Sequence, residues 1–293
     1  MVGHLRARET QRQVPSEPRD RRHGVGAALK TLGTERILGA VVEDVAYGAD
    51  TADIGEVEAL LVRPEDGSCA PPSCAAILFW HWLDGEAPDG NRSEFRDEAA
   101  ALTKLGVVSL LPQGRFPWSI DPSRSAADTA QIELEVARLV AGLDLLAARP
   151  EVDPARIAVV GHDFGGMYAI LAAAADPRVR SLVVIAATPR WSDWFLPFWS
   201  IDEDRIDYLR ATLSLDPIEQ MAATSPRQVL LQFGQRDFYV APMSAFGLRR
   251  AAGGDAVELK MYDAEHNMRH PDARSDRLAF LSRTLELETP PPA

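Results

Sequence analysis

Residues 156–169 read RIAVVGHDFGGMYA, a β-branched apolar run followed by a glycine-rich turn and then by small helix-forming residues. Gly161 and Gly165 flank Asp163 at the spacing of a strand–turn–helix junction, in which the central residue lies in a strained turn. Glycine suits the flanking positions because it has no Cβ to crowd the turn. The stretch therefore predicts a sharp elbow that presents the Asp163 side chain beyond the end of a strand.

Around this elbow the chain alternates short apolar runs with longer amphipathic stretches. Eight strands are predicted, at about residues 40–46, 57–62, 76–80, 107–111, 157–160, 182–186, 229–233 and 257–262. Helical patterns follow most of them, at about residues 94–105, 126–148, 165–175, 244–252 and 272–287. Only a polar turn separates the first two strands, which predicts an antiparallel hairpin at one edge. This alternation is typical of an α/β fold with a mostly parallel sheet covered by helices.

One domain accounts for most of the chain. Residues 1–36 are predicted to be a polar tail or extension, residues 37–288 the α/β domain, and residues 289–293 a disordered end. The segment 190–226 interrupts the alternation and predicts a small cap, because it is too short to have its own core. Its aromatic residues, together with one tyrosine that follows Asp237, are expected to line a substrate pocket. They are Trp191, Trp194, Trp199, Tyr208 and Tyr239.

Composition limits the classes of partner. The formal net charge is -12, which disfavours nucleic acid because a polyanion would be repelled by most of the surface. No apolar run approaches the roughly 20 residues that cross a bilayer, and no apolar leader follows the first methionine. A cytoplasmic protein without a membrane partner is therefore expected, and a homodimer stays open. Cys69 and Cys74 are predicted to be unpaired thiols, since two cysteines do not make a disulfide framework.

Two polar residues follow later strands at the edge where Asp163 is expected. Asp237 comes after the seventh strand and His266 after the eighth. Because the carboxyl ends of parallel strands meet at one edge of a sheet, the three side chains are predicted to converge as a catalytic triad. Asp193, after the sixth strand, is a second candidate for the acid. His266 and His270 lack a third ligand, so neither a metal nor a cofactor is expected.

On these motifs the chain resembles the α/β-hydrolase superfamily over residues 37–287. Residues 152–157, VDPARI, resemble the dienelactone-hydrolase and prolyl-oligopeptidase-like branch. Residues 161–166, GHDFGG, resemble haloalkane dehalogenases and soluble epoxide hydrolases, in which the elbow residue is an aspartate. The resemblance implies the α/β-hydrolase fold and an oxyanion site made by backbone donors after the third and fifth strands. Those donors would be Phe164 and either Trp82 or Leu83, with His81 at the pocket wall.

An aspartate at the elbow favours displacement at saturated carbon over attack on an ester. The sequence therefore predicts that Asp163 opens a carbon–halogen bond or an epoxide in a small apolar substrate and forms a covalent alkyl-enzyme. Water activated by His266 would then release the product. Two alternatives stay open, a dienelactone-hydrolase-like esterase or lactonase and a non-catalytic ligand-binding protein. The retention of Asp237 and His266 argues against the latter.

Overall fold

The computed structural model describes residues 29–48, 53–65, 69, 71–84, 86–115, 128–194, 205–224 and 227–287. These residues form one nine-stranded sheet in the order β1-β2-β3-β5-β4-β6-β7-β8-β9. The strands are β1 Lys30–Ile37, β2 Ala40–Tyr47, β3 Val57–Pro64, β4 Cys74–Trp80, β5 Val107–Pro112, β6 Val152–His162, β7 Val179–Ile185, β8 Gln228–Gly234 and β9 Val257–Tyr262.

The sheet is mixed, with the parallel part at its centre. Strands β4 to β9 pair in parallel, whereas β1, β2, β3 and β5 pair antiparallel in that order. The prediction of an α/β fold with a mostly parallel sheet is confirmed. The carboxyl ends of β4, β6, β8 and β9 consequently face the same edge, where the site described below lies.

The number of strands was predicted wrongly as eight, because β1 was missed. Residues Lys30–Ile37 are all exposed except Ile37, which is half-buried. A strand without a buried face has no alternation of apolar and polar residues, so periodicity gives no sign of it. The predicted antiparallel hairpin is β2–β3, but β1 pairs with the outer side of β2 and forms the actual edge. The sheet thus begins inside the predicted tail.

Helices cover both faces of the sheet and enclose two core clusters. They include α1 Arg96–Leu102, α2 Asp128–Ala147, α3 Phe164–Ala175 and the helices Arg205–Thr212, Pro217–Met221, Met243–Ala252 and Pro271–Thr284. Helix α3 buries its first ten residues, since its alanines and glycines let it pack directly on the sheet. Among the described residues, none of the helices is both long and apolar enough to cross a membrane.

A buried ion pair joins the first helix to the last. The guanidinium of Arg277 donates from Nε to Oε1 of Glu98 at 2.8 Å and from Nη2 to Oε2 at 2.6 Å. Its Nη1 donates to Oε1 of Gln232 at 2.9 Å. Each buried oxygen of the Glu98 carboxylate thereby has a donor. Such bidentate geometry offsets the cost of burying the two charges.

Cys69 and Cys74 form a disulfide, which corrects the prediction of two unpaired thiols. Cys74 begins β4 and Cys69 lies in the turn before it, so their Cα atoms come within 5.7 Å of each other. That separation suits a disulfide. Disulfides persist mainly in oxidising compartments, so this bond does not fit the expected cytoplasmic location.

Candidate active site

Asp163 lies in a strained turn between β6 and α3. Its backbone has a φ of 57°, in the region that side chains rarely adopt. Two backbone hydrogen bonds hold the turn, from the Asp163 N–H to Ile185 O at 2.8 Å and from the Met167 N–H to Asp163 O at 3.0 Å. Strain of this kind persists only where the surrounding structure enforces it, and it is common at functional sites.

The glycines on either side of the elbow are required by packing. A Cβ at Gly161 would lie 2.1 Å from the carbonyl oxygen of Gly165. A Cβ at Gly165 would lie 2.2 Å from the carbonyl oxygen of Trp80 in β4. Both distances are far below van der Waals contact. The spacing that the sequence displays therefore has a steric cause, which is the close approach of α3 to β6 and β4.

The structure brings Asp163, His266 and Asp237 together at the carboxyl edge of the sheet. Nδ1 of His266 lies 2.9 Å from Oδ2 of Asp237, and Nε2 of His266 lies 3.7 Å from Oδ2 of Asp163. The other oxygen of Asp237 accepts the N–H groups of Tyr239 and Val240 at 2.8 and 2.9 Å. Asp237 is thus held rigidly and, as acceptor, orients the imidazole. Asp237, and not the alternative acid Asp193, is the carboxylate bonded to the histidine.

Two carboxylates beside one buried histidine set its protonation. Burial lowers the pKa of His266, but its interactions with Asp163 and Asp237 outweigh that effect and raise the pKa to about 10. At neutral pH the ring is therefore an imidazolium with a proton on each nitrogen. Oδ1 of Asp163 and Nε2 of His266 are buried and have no hydrogen-bond partner among the described residues. An acceptor and a donor are left open side by side.

Aromatic rings enclose His266. The ring centroids of Trp82, Trp194 and Tyr239 lie 5.6, 6.1 and 5.1 Å from that of the imidazole. Trp194 also stacks on Phe164 at 5.0 Å. Of the predicted pocket residues, Trp194 and Tyr239 therefore lie at the site. Trp199 lies outside the described residues.

Other predicted pocket residues have structural roles. The indole N–H of Trp191 donates to Leu215 O at 2.7 Å, so Trp191 supports the wall from behind. Tyr208 is fully buried, and burial together with the nearby carboxylates of Asp128 and Asp216 raises its pKa above the usual range. Leu83, which was predicted as an alternative oxyanion donor to Trp82, is partly buried against the core. None of these three has a described contact with His266.

His81 is buried, and both of its ring nitrogens are hydrogen-bonded. Its Nδ1 donates to Trp82 O at 2.9 Å, and its Nε2 accepts the N–H of Gly114 at 2.9 Å. Burial lowers its pKa, which keeps the ring neutral with one donor and one acceptor. These bonds give His81 a structural role, and its place in the wall of a substrate pocket stays a prediction.

The backbone N–H of Trp82, a predicted oxyanion donor, already takes part in a hydrogen bond. This N–H donates to Oε2 of Glu94 at 3.1 Å. Phe164 is the first residue of α3, so the positive end of that helix dipole lies at the elbow beside Asp163. The side of the site that should bind a developing negative charge is therefore defined by α3, while a carboxylate covers the amide after β4.

Sequence reasoning missed the pair Glu94 and His162. Nδ1 of His162 lies 2.6 Å from Oε1 of Glu94, and Nε2 donates to the backbone oxygen of His266 at 2.8 Å. His162 stands next to Asp163 in the motif, which is a usable signal. Glu94 lies in a long connection with no pattern that distinguishes it. Within the described ranges, no group of three or more His, Cys, Asp or Glu residues is arranged to hold a metal.

Comparison with known protein families shows which of them the chain resembles. Residues 133–286, more than half of its length, match the model of the prolyl oligopeptidase family. A stretch of 53 residues is 47% identical to pimeloyl-[acyl-carrier protein] methyl ester esterase from Xanthomonas campestris pv. campestris. This match spans only 17% of the chain and 21% of that esterase.

Solved structures agree with the fold. The acetyl xylan esterase from Paenibacillus sp. R4 superposes with a TM-score of 0.69 at 19% identity, covering 89% of each chain. An S-formylglutathione hydrolase from Agrobacterium tumefaciens gives a TM-score of 0.62 at 16% identity, covering 87% of this chain and 99% of that one. The α/β-hydrolase fold predicted from the motifs is thereby confirmed.

These similarities overturn the predicted reaction. Cleavage of a carbon–halogen bond or an epoxide through an alkyl-enzyme on Asp163 was wrong, because the matching family and the similar proteins above are of the esterase and peptidase type. The site agrees with this correction. The indole N–H of Trp191 is bonded to Leu215 O and Tyr208 is fully buried, so neither of these predicted pocket residues is placed to assist the departure of a halide or the opening of an epoxide.

Proposed function

Because the chain belongs to the prolyl oligopeptidase family, we propose that it is a hydrolase of small carboxylic esters. Its catalytic groups are Asp163, His266 and Asp237. One observation carries the proposal: Nε2 of His266 is directed at Asp163 across 3.7 Å while Nδ1 is bonded to Asp237, and the two groups that face each other are buried and incompletely paired. Buried charges left open in this way are typical of functional sites.

Asp163 acts as a general base in this proposal. A carboxylate that attacked an ester would form an anhydride, and its own charge would oppose the charge developing on the carbonyl oxygen. The same carboxylate can instead take a proton from water as that water adds to the carbonyl carbon. The positive end of α3 stabilises the resulting oxyanion.

His266 acts as the general acid. Its pKa of about 10 makes it an imidazolium at neutral pH. When the tetrahedral intermediate collapses, the carbon–oxygen bond to the alcohol breaks and Nε2 of His266 delivers its proton to the leaving oxygen. The proton held by Asp163 then passes to His266 across the 3.7 Å gap, which restores both groups. Asp237 holds the imidazole ring of His266 in one orientation during all of these steps.

The substrate class follows from the similar proteins and from the enclosure of the site. The similar proteins act on methyl, acetyl or thiol esters according to their names. Trp82, Trp194 and Tyr239 surround His266 with aromatic faces, which suit an apolar or flat group beside the ester. A small ester with an apolar portion is therefore the proposed substrate.

A panel of para-nitrophenyl esters of increasing acyl length tests this function. The matched control is His266→Gln, purified identically, which removes the general acid but leaves the fold's other contacts in place. We expect release of nitrophenol by the wild type. The variant should lose about 10²- to 10⁴-fold on the corresponding ethyl esters, whose alkoxide needs the proton of His266 to leave, and less on the nitrophenyl esters, whose phenolate leaves without it. Equal rates in the two proteins on the ethyl esters would mean that another site or a contaminant hydrolyses the esters.

A second candidate function is ligand binding without catalysis. The observation that favours it is the closure of the site, because Glu94 occupies the Trp82 amide and the reactive atoms of Asp163 and His266 are buried. A protein that hydrolyses none of the esters, yet binds an unreactive amide analogue in isothermal titration calorimetry, would support this second function.

A further inference from the structure

We propose that Glu94 is a positioning residue that fixes the catalytic histidine through His162 by means of one shared proton. The inference deepens the proposed function and rests on it for the role of His266. Glu94 touches neither Asp163 nor the His266 ring in any described contact. It acts through a second histidine and through the backbone.

The contacts form a short chain from the connection before α1, through the end of β6, to the loop after β9. Glu94 Oε1 lies 2.6 Å from Nδ1 of His162, and Nε2 of His162 lies 2.8 Å from the backbone oxygen of His266. His162 is 1% exposed, so water does not compete for these bonds. The chain therefore fixes the position of the His266 backbone, from which the catalytic ring projects.

The proton count follows from the partners. A carbonyl oxygen can only accept, so Nε2 of His162 must carry a proton. The opposite nitrogen faces a carboxylate at 2.6 Å, where two lone pairs would repel each other. A second proton must lie between Nδ1 and Glu94. The pair therefore has no net charge, whichever of the two groups holds that proton.

The second carboxylate oxygen fixes the aromatic wall. Glu94 Oε2 accepts the backbone N–H of Trp82 at 3.1 Å. The Trp82 ring lies 5.8 Å from the His162 ring and 5.6 Å from the His266 ring. One carboxylate consequently holds both the loop that carries His266 and the ring that covers it. Loss of Glu94 should misplace the catalytic imidazole without changing the groups that react.

Glutamine is the informative replacement. In Glu94→Gln, the amide oxygen can accept the Trp82 N–H while the amide N–H donates to Nδ1 of a neutral His162. Every hydrogen bond and the zero net charge are then preserved. In Glu94→Ala both bonds are lost. The exposed Glu86 lies on the same connection, so Glu86→Ala serves as a matched control for the loss of a carboxylate.

The kinetic test uses the full chain and ethyl acetate. For Glu94→Ala we expect kcat to fall by about 100-fold with KM unchanged, because a misplaced catalytic group costs that much. Glu94→Gln and Glu86→Ala should retain the wild-type kcat and the wild-type pH profile. A wild-type kcat in Glu94→Ala, or an equal loss in Glu94→Gln, would overturn the proposal.

A spectroscopic test does not depend on hydrolysis. Proton NMR of the wild type with ¹⁵N-labelled histidine should show a protected proton on Nε2 of His162 and a second protected proton in the bond between Nδ1 and Glu94. The Nε2 proton should stay as protected in Glu94→Gln as in the wild type and exchange faster in Glu94→Ala. The proton between Nδ1 and Glu94 should be absent from the histidine spectrum of both variants, because in Glu94→Gln the amide nitrogen carries the donated proton and in Glu94→Ala there is no partner. Its absence from the wild type would contradict the shared proton. If the wild type hydrolyses no ester while these signals follow the expected pattern, the proposed function fails and the Glu94–His162 pair stands.

Discussion

Two buried groups of charges in this molecule are built in opposite ways. Around Arg277, three guanidinium nitrogens have acceptors on Glu98 and Gln232, and both oxygens of Glu98 have donors. Around His266, the hydrogen bond between Nδ1 and Asp237 is equally well formed. Oδ1 of Asp163 and Nε2 of His266, however, have no hydrogen-bond partner within the described part of the chain. The first arrangement suits a structural pair and the second suits a site that binds another molecule.

The two groups should therefore respond differently to mutation, one mainly in folding stability and the other mainly in activity. Saturated charges contribute to folding, and removing one member leaves the other buried and uncompensated. Open charges contribute little to folding and often reduce stability. Replacements at the two groups should therefore produce opposite patterns of effect.

The largest expected effect is on catalysis at Asp163. In Asp163→Asn the general base is lost while the shape of the side chain is kept, so kcat for para-nitrophenyl acetate should fall by about 10²- to 10⁴-fold. The midpoint of urea unfolding should stay the same or rise, because the neutral amide removes the cost of burying a negative charge whose oxygens are incompletely hydrogen-bonded. A large drop in the free energy of unfolding would show that Asp163, like Glu98, is a charge that stabilises the fold.

The second-largest expected effect is a loss of folding stability when the Arg277–Glu98 pair is broken. Arg277→Met leaves the Glu98 carboxylate buried without its partner, which should lower the free energy of unfolding by about 3–5 kcal/mol. The kcat of the folded fraction should fall far less than in Asp163→Asn, since Arg277 has no described contact with Asp163 or His266. As a control, Arg283→Ala removes an exposed pair with Glu258 and should cost less than about 1 kcal/mol. Equal costs in the two variants would remove the distinction drawn above.

The disulfide should give a smaller effect that is confined to stability. The double variant Cys69→Ser with Cys74→Ser opens a very short loop, which should lower the free energy of unfolding by about 2 kcal/mol. Urea unfolding of the oxidised wild type, the reduced wild type and the variant measures this cost. The reduced wild type should behave as the variant does, and neither change should alter kcat.

The smallest effect is the alkaline limb of the pH profile. His266 must be protonated to act as an acid, and its pKa is raised to about 10, so kcat should be flat at neutral pH and fall above about pH 10. Asp237→Asn removes one of the two carboxylates that raise this pKa, so the limb should move to lower pH. A profile that rises between pH 6 and 8 would instead indicate a neutral histidine acting as a base.

The elbow and the two later candidate residues could be predicted from sequence because each follows a strand with a recognisable pattern of apolar residues. Asp163, Asp237 and His266 come after β6, β8 and β9, and parallel pairing alone brings them to one edge. The glycine spacing around Asp163 reports close packing directly. Chain order and strand periodicity are local properties that a single sequence contains.

Other features depend on contacts that no local pattern encodes. Strand β1 has no buried face, and Glu94 meets His162 across 68 positions of the chain. The reaction was mispredicted because six residues, GHDFGG, outweighed the family similarity that extends over residues 133–286. An aspartate at the elbow leaves open whether the side chain would attack carbon or activate water.

Pre-steady-state release of nitrophenol from para-nitrophenyl acetate distinguishes Asp163 as a general base from Asp163 as a nucleophile. If Asp163 activates water, the wild type should release nitrophenol at one constant rate, and intact-mass analysis should find no acetylated protein. Asp163→Ser, which places a hydroxyl beside the His266–Asp237 pair, serves as the positive control for a burst and an acetyl adduct. An initial burst in the wild type, together with an acetyl adduct on the enzyme, would contradict the account.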